Sequence, residues 1–160
     1  MDSIEINEMM KTLNIAIVED NKVIREGIEL YFNSDPEFTC KIAVDSVEAF
    51  LKCIGGNLKL DVLLLDINLP GMSGIEGIHH IKHQFPDLSI IMLTIYKDEK
   101  HVFDALKAGS DGYLLKNTPL KSIKKGIQQI VEEGAPISPV IAKKVINYFN
   151  PQKQHKIDGF

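Results

Sequence analysis

Several short apolar runs in this chain are followed by polar residues whose side chains can bind a metal ion or a phosphoryl group. The five residues that stand at such ends are Glu19, Asp20, Asp66, Thr94 and Lys116. Three carboxylates that lie close together repel one another unless a cation lies among them, and their hard oxygen atoms suit Mg²⁺ or Mn²⁺. Aspartate can accept a phosphoryl group covalently, and a metal ion, a hydroxyl and an ammonium group can neutralise and position that group. The residue types therefore predict a phosphoryl-accepting site with a divalent cation.

The elements that must bring these residues together are five strands that alternate with helical patterns. The predicted strands are Leu13–Val18, Phe38–Val44, Asp61–Leu65, Leu88–Leu93 and Gly112–Leu115. Five β-α units of this length specify an α/β fold with a right-handed, doubly wound parallel sheet, and the flavodoxin-like strand order 2-1-3-4-5 is favoured. Functional groups of such a sheet gather at the carboxyl ends of its strands. The fold thus predicts that the five polar residues converge.

Capping residues mark the starts of the helices between the strands. The predicted caps are Asp20 or Asn21, Ser46, Ser73 (in a capping box with Glu76), and Thr118 with Pro119 at the first helical position. A helix from about Asp98 ends at Gly109, which suits a left-handed terminus. The first helix is expected to bury Ile24, Gly27, Ile28 and Tyr31.

The ends of the chain differ in composition from its middle. We predict a tail over 1–12, one domain over 13–134, an extra C-terminal helix over 135–150, and the start of a polar linker over 151–160. The extra helix carries an apolar stripe of Val140, Ile141, Val145, Tyr148 and Phe149.

Composition limits the classes of function. The net charge of -4 gives no basic field, so this chain alone is expected to bind nucleic acid poorly. The first residues do not resemble a signal peptide, and the longest apolar runs are too short to span a bilayer. Cys40 and Cys53 match no zinc spacing and are expected to be reduced, mostly buried thiols. We therefore expect a cytoplasmic protein without membrane contact.

Four segments resemble the receiver domains of two-component response regulators. They are Val18-Glu19-Asp20, Leu63 to Gly74 (LLLDINLPGMSG), Leu93-Thr94 and Asp111 to Lys116 (DGYLLK), and the resemblance covers about 14–134. It implies that Asp66 accepts a phosphoryl group from a sensor histidine kinase, and that Glu19, Asp20, Asp66 and the backbone carbonyl of Asn68 hold Mg²⁺. It further implies that Lys116 pairs with a phosphoryl oxygen, that Thr94 is the switch hydroxyl, and that the rotamer of Tyr113 couples the site to the outer surface. The chain would then be a signalling switch that assists its own phosphoryl transfer and hydrolysis, and not an enzyme.

The segment 134–145 is similar to receivers that precede a LuxR-type helix-turn-helix domain. By that resemblance the chain controls transcription, meets DNA only through a C-terminal domain absent from this chain, and forms a homodimer on phosphorylation. Two surfaces compete for the dimer, and we favour the first and fifth helices, with Arg25 and Lys121–Lys125, over the face that includes Tyr113.

Two positions depart from the family pattern. The residue after the switch threonine is usually small, but here it is Ile95, which is expected to narrow access to Asp66. The lysine is often followed by a cis proline, but here Asn117 follows Lys116, and this leaves the geometry of that peptide bond open.

Other functions remain open at this point. Haloacid-dehalogenase-type enzymes also use an aspartate after an apolar strand, but they need Asp-x-Asp, and the second position here is Asn68. A receiver that acts without phosphorylation would usually have lost some of the five site residues, which this chain keeps. His79, His80 and His83 are read as a solvated helix face, since no other ligand is spaced to complete a zinc site.

Overall fold

A computed structural model describes residues 12–133 and 139–149. Its five strands are β1 (Leu13–Val18), β2 (Phe38–Val44), β3 (Val62–Leu65), β4 (Ser89–Thr94) and β5 (Gly112–Leu115). They form one parallel sheet in the order β2-β1-β3-β4-β5, which confirms the predicted fold and strand order. The predicted tail (1–12) and linker (151–160) lie almost entirely outside the described residues, so their boundaries stay predictions.

Six helices accompany the sheet in the described part of the chain. They are α1 (Lys22–Asn33), α2 (Val47–Cys53), α3 (Gly74–Gln84), α4 (Glu99–Ala108), α5 (Leu120–Glu132) and α6 (Pro139–Phe149). Buried side chains of α1 and α5 pack on one face of the sheet, and those of α2, α3, α4 and α6 pack on the other. The central strand β3 is buried along its whole length because helices cover both faces.

Most of the predicted helix caps are confirmed, and one is wrong. Ser46 and Ser73 cap α2 and α3 through their hydroxyl groups, and Asn21, the second of two candidates, caps α1. Thr118 does not cap α5. Pro119 has ψ 145°, so the helix begins after it, and its carbonyl accepts the first bonds, from the amides of Ser122 and Ile123.

Three predictions of burial are corrected. Gly27 lies on the exposed side of α1, and Phe32 is buried in its place, one turn beyond Ile28. Cys53 is exposed, because it ends the short helix α2. In α6, Ile141 is fully buried, whereas Phe149 is 71% exposed and contacts Phe103 edge to face. The side chains of Val140 and Tyr148 lie outside the described residues.

The described helices also bear on membrane contact. Across residues 12–133 and 139–149, no helix combines the length and the apolar character needed to cross a bilayer.

Candidate functional site

Three carboxylates meet at the carboxyl edge of the sheet. Strands β1 and β3 are neighbours, and Val18 pairs with Leu65, so the residues that follow them emerge side by side. One oxygen each from Glu19, Asp20 and Asp66 can be chosen such that all lie within 4.8 Å of one another. Glu19 and Asp66 are 2% and 4% exposed, whereas Asp20 is exposed to solvent. The predicted acidic cluster is therefore present and is open on the side of Asp20.

Lys116 reaches this cluster from two strands away. Its backbone amide donates to the carbonyl of Thr94, which fixes the start of the loop after β5 against the end of β4. From there its Nζ lies 2.7 Å from Asp66 Oδ2 and 2.6 Å from Glu19 Oε1. A long side chain is needed because β4 separates β5 from β3. Lys116 thus joins the two buried carboxylates.

The charges at the site are not balanced. Burial, followed by the neighbouring Asp66 carboxyl, raises the pKa of Glu19 to about 7, although the Lys116 ammonium group opposes this rise. Burial lowers the pKa of Lys116, but its bonds to Asp66 and Glu19 outweigh that effect, so the pKa lies above its ordinary value. Three carboxylates face one ammonium group, which leaves negative charge uncompensated in a largely buried place.

The donor set fits a divalent cation with hard-ligand preference. Neither oxygen of Glu19 makes a hydrogen bond of good geometry within the described residues, although Oε1 is at ion-pair distance from Lys116. Oε2 of Glu19 therefore has neither a hydrogen bond nor an ion pair among the described residues, and a buried carboxylate oxygen in that situation is costly unless a cation or a proton reaches it. Oxygen ligands on one side and solvent on the other suit an ion that keeps several waters, as Mg²⁺ does.

The loop after Asp66 is held close to the acceptor. Asp66 Oδ1 accepts from the amide of Ile67 at 2.7 Å, and the amide of Gly74 donates to the carbonyl of Ile67 at 2.8 Å. A Cβ atom on Gly74 would lie 1.8 Å from the backbone oxygen of Asp66, so only glycine allows α3 to start here. Asn68 is exposed in this loop, and its role as a backbone ligand stays a prediction.

Thr94 and Tyr113 connect the site to α4. Thr94 is fully buried, and its Oγ1 accepts from the amide of Tyr96 at 3.4 Å. Tyr113 is also fully buried and already points inward, where its hydroxyl donates to the carbonyl of Tyr96. The ring of Tyr96 stacks on His101, with 4.1 Å between ring centroids. Sequence reasoning identified Thr94 and Tyr113 but missed Tyr96, whose contacts come from three separate elements.

The two departures from the family pattern have structural outcomes. Ile95 is 67% exposed and lines a cleft with Lys97, Lys116 and Asn117, so its predicted effect on access stays a prediction. No peptide bond in the described residues is cis, so the bond between Lys116 and Asn117 is trans.

The histidines of α3 are exposed, and within the described residues they are not part of any cluster of three metal-binding side chains.

Comparisons with known proteins identify the family. The family model for the response regulator receiver domain matches residues 15–128. The transcriptional regulatory protein DegU of Brevibacillus brevis is 28% identical over 145 residues, which are 91% of this chain and 60% of that protein. The oxygen regulatory protein NreC of Staphylococcus carnosus is 32% identical over 139 residues, or 86% and 63% of the two chains. The chain therefore spans less than two thirds of the length of these relatives.

Solved structures agree with this fold. The receiver domain of RcsB from Salmonella enterica serovar Typhimurium, solved with the phosphomimetic BeF₃⁻, has a TM-score of 0.75 at 22% identity over 84% of this chain and 99% of that one. A structure of two RcsB dimers bound to two parallel DNAs has a TM-score of 0.77 at 21% identity, over 86% and 69% of the two chains. Because the matched model covers most of the chain and the sheet has the expected order, this chain belongs to the receiver domain family of two-component response regulators.

Proposed function

We propose that Asp66 is the phosphoacceptor of this receiver domain. The observation that carries the proposal is the position of its nearly buried carboxylate, 2.7 Å from Lys116 and within one cluster with Glu19 and Asp20. An Asp66 oxygen attacks the phosphorus atom, the bond from phosphorus to the donor breaks, and the electron pair leaves with the donor. The product is an acyl phosphate on Asp66. A histidine kinase is the donor that family membership favours.

The surrounding residues have distinct roles in this proposal. Glu19, Asp20, Asp66 and the carbonyl of Asn68 would hold Mg²⁺, which supplies charge compensation for the carboxylates and the phosphoryl oxygens. Lys116 binds a phosphoryl oxygen in place of the Asp66 oxygen that it binds here. The Thr94 hydroxyl donates to another phosphoryl oxygen. This new hydrogen bond replaces the one that Thr94 Oγ1 accepts from the amide of Tyr96. The chain assists its own phosphorylation and hydrolysis but turns over no separate substrate.

Incubation with acetyl phosphate and Mg²⁺ tests whether Asp66 is the phosphoacceptor. One phosphoryl group labile to hydroxylamine should appear by mass spectrometry on the wild type, and none on Asp66→Asn. Asp87→Asn is the matched control, because Asp87 is an exposed aspartate in the loop before β4, at the opposite edge of the sheet. Equal labelling of Asp66→Asn and wild type would contradict the assignment. Continuous turnover of a phosphorylated metabolite would instead favour the dehalogenase-type enzyme.

The side-chain contacts of α1 and α5 bear on which surface could form a dimer. The side chain of Arg25 donates to the carbonyl of Glu19 at 2.8 Å, and Lys124 pairs with Asp35 at 2.6 Å and Glu37 at 3.0 Å. These basic residues therefore already have partners within their own chain. What α1 offers is apolar: Val23 and Leu30, two turns apart, are 80% and 70% exposed.

The competing surface is partly covered. Helix α6 packs against α4, with Ile141 buried in the same core cluster as Val102, Ala105 and Tyr113. A second copy would have to displace α6 to use that part of α4. Since RcsB, which has the same fold, binds DNA as dimers, we infer that this chain pairs through α1 and α5 when it is phosphorylated, and that the dimer serves transcriptional control.

Sedimentation with and without beryllofluoride tests this surface. The wild type should shift from monomer to dimer with the mimic, and Leu30→Glu should stay monomeric. Ile146→Glu is the control, since Ile146 is 56% exposed on α6, away from α1. Dimerisation of Leu30→Glu together with loss of dimer in Ile146→Glu would exclude the α1 surface.

A further inference from the structure

We propose that Glu48 is a positioning residue for the phosphorylation site, because its carboxylate on α2 holds the loop that follows Asp66. This inference rests on the proposed function of Asp66. Glu48 is 24 positions from Met72, yet its Oε1 and Oε2 lie 3.2 Å and 3.4 Å from the backbone amide of Met72, which donates to them. The contact joins helix α2, which follows β2, to the loop that follows β3.

The loop is shaped to receive this carboxylate. Gly71 has φ 76°, a left-handed conformation that favours glycine. A Cβ atom at Gly71 would lie 2.1 Å from Glu48 Oε2, so the carboxylate occupies the space that any other side chain would fill. The glycine thus serves both the turn and the close approach of Glu48.

Helix α2 is a rigid support for this contact. Its first turn is capped by Ser46, and Val47 and Phe50 are fully buried. A Cβ atom on Gly77 of α3 would lie 2.7 Å from a methyl group of Val47, which shows that the first turn of α2 packs directly on α3. Glu48 is therefore carried on a turn that packs directly on the helix that begins at the site edge.

The contact matters because of where the loop is otherwise attached. Its ends are held by the bond from Gly74 to Ile67 and by the buried side chain of Leu69. Within the described residues, the hydrogen bonds that tie residues 68–72 to another element all end on Glu48. Asn68, whose carbonyl is proposed to bind the metal ion, lies in this span. Loss of Glu48 would leave the loop less ordered and metal binding would have to order it again.

The test compares Glu48→Ala, Glu48→Gln and the control Glu76→Ala. Glu76 is an exposed acid in the first turn of α3, so its removal changes charge by the same amount without removing the bond to Met72. Mn²⁺ binding is measured by electron paramagnetic resonance, and hydrogen exchange of the Met72 amide is measured by NMR. Since one net hydrogen bond is worth about 0.5–1.5 kcal/mol, we expect Mn²⁺ binding about two- to tenfold weaker in Glu48→Ala.

The remaining readouts separate a positioning role from a charge effect. Glu48→Ala should speed exchange of the Met72 amide, Glu48→Gln should restore part of both losses because it keeps an acceptor, and Glu76→Ala should match the wild type. Faster exchange with unchanged Mn²⁺ affinity would overturn the positioning role, as would equal weakening in all three variants. If the wild type binds no Mn²⁺, the proposed function itself fails; if it binds and Glu48→Ala binds equally well, only the role of Glu48 fails.

Discussion

The buried carboxyl group of Glu19 should make the metal-free protein less stable as the pH rises. Burial, and then the Asp66 carboxyl, raise its pKa from 4.5 to about 7 in the folded chain. Between these two values the folded state binds more protons than the unfolded state. The free energy of unfolding therefore falls as the pH rises through this window and is lowest above it.

The size of this effect follows from the difference between the two pKa values. Each unit of pKa difference is worth about 1.4 kcal/mol, which sets an upper limit of about 3.5 kcal/mol. We expect a loss of roughly 1–3 kcal/mol between pH 5 and pH 8. Glu19→Gln removes the ionisable group, so this variant should be more stable than the wild type at pH 8 and nearly equal to it at pH 5.

Urea unfolding followed by circular dichroism, with a chelator present, measures this difference. Glu26→Gln is the control, since it removes an acidic charge from the exposed side of α1. Added Mg²⁺ should stabilise the wild type at pH 8 by mass action and should stabilise Glu19→Gln less. If the two proteins show the same pH profile from 5 to 8, ionisation of Glu19 is not the source of instability and the reasoning is refuted.

Three further substitutions test the surroundings of the site. Gly74→Ala should cost at least about 2 kcal/mol in urea unfolding, because its Cβ would lie 1.8 Å from the backbone oxygen of Asp66; a fully stable variant would contradict this close approach. Tyr113→Phe should cost about 1 kcal/mol and speed exchange of amides near Tyr96, since it removes the hydroxyl that donates to the Tyr96 carbonyl. Ile95→Ala should change stability by less than about 0.5 kcal/mol, because the side chain is 67% exposed. Its labelling by acetyl phosphate should be faster, and an unchanged rate would remove the argument that Ile95 restricts access.

Local patterns in the sequence were sufficient for the fold and for the members of the acidic cluster. Apolar runs that alternate with amphipathic helices allow few arrangements other than a doubly wound parallel sheet, and such a sheet collects its strand ends on one edge. Glu19 and Asp66 could therefore be placed together without coordinates. The start of α5 was one residue off, because Thr118 and Pro119 are both acceptable before a helix and the ψ angle of Pro119 decides between them.

Only the tertiary structure decided which partners the polar side chains take. From the sequence, Arg25 and Lys124 are expected to form an open basic surface. In the structure each side chain instead binds an acceptor that the fold brings within reach. Tyr113 points inward because the carbonyl of Tyr96, from the loop after another strand, accepts its hydroxyl. Glu48 meets Met72 only because α2 packs on α3. Such contacts depend on the distances between elements and on side-chain rotamers, which the spacing of residues along a chain does not encode locally.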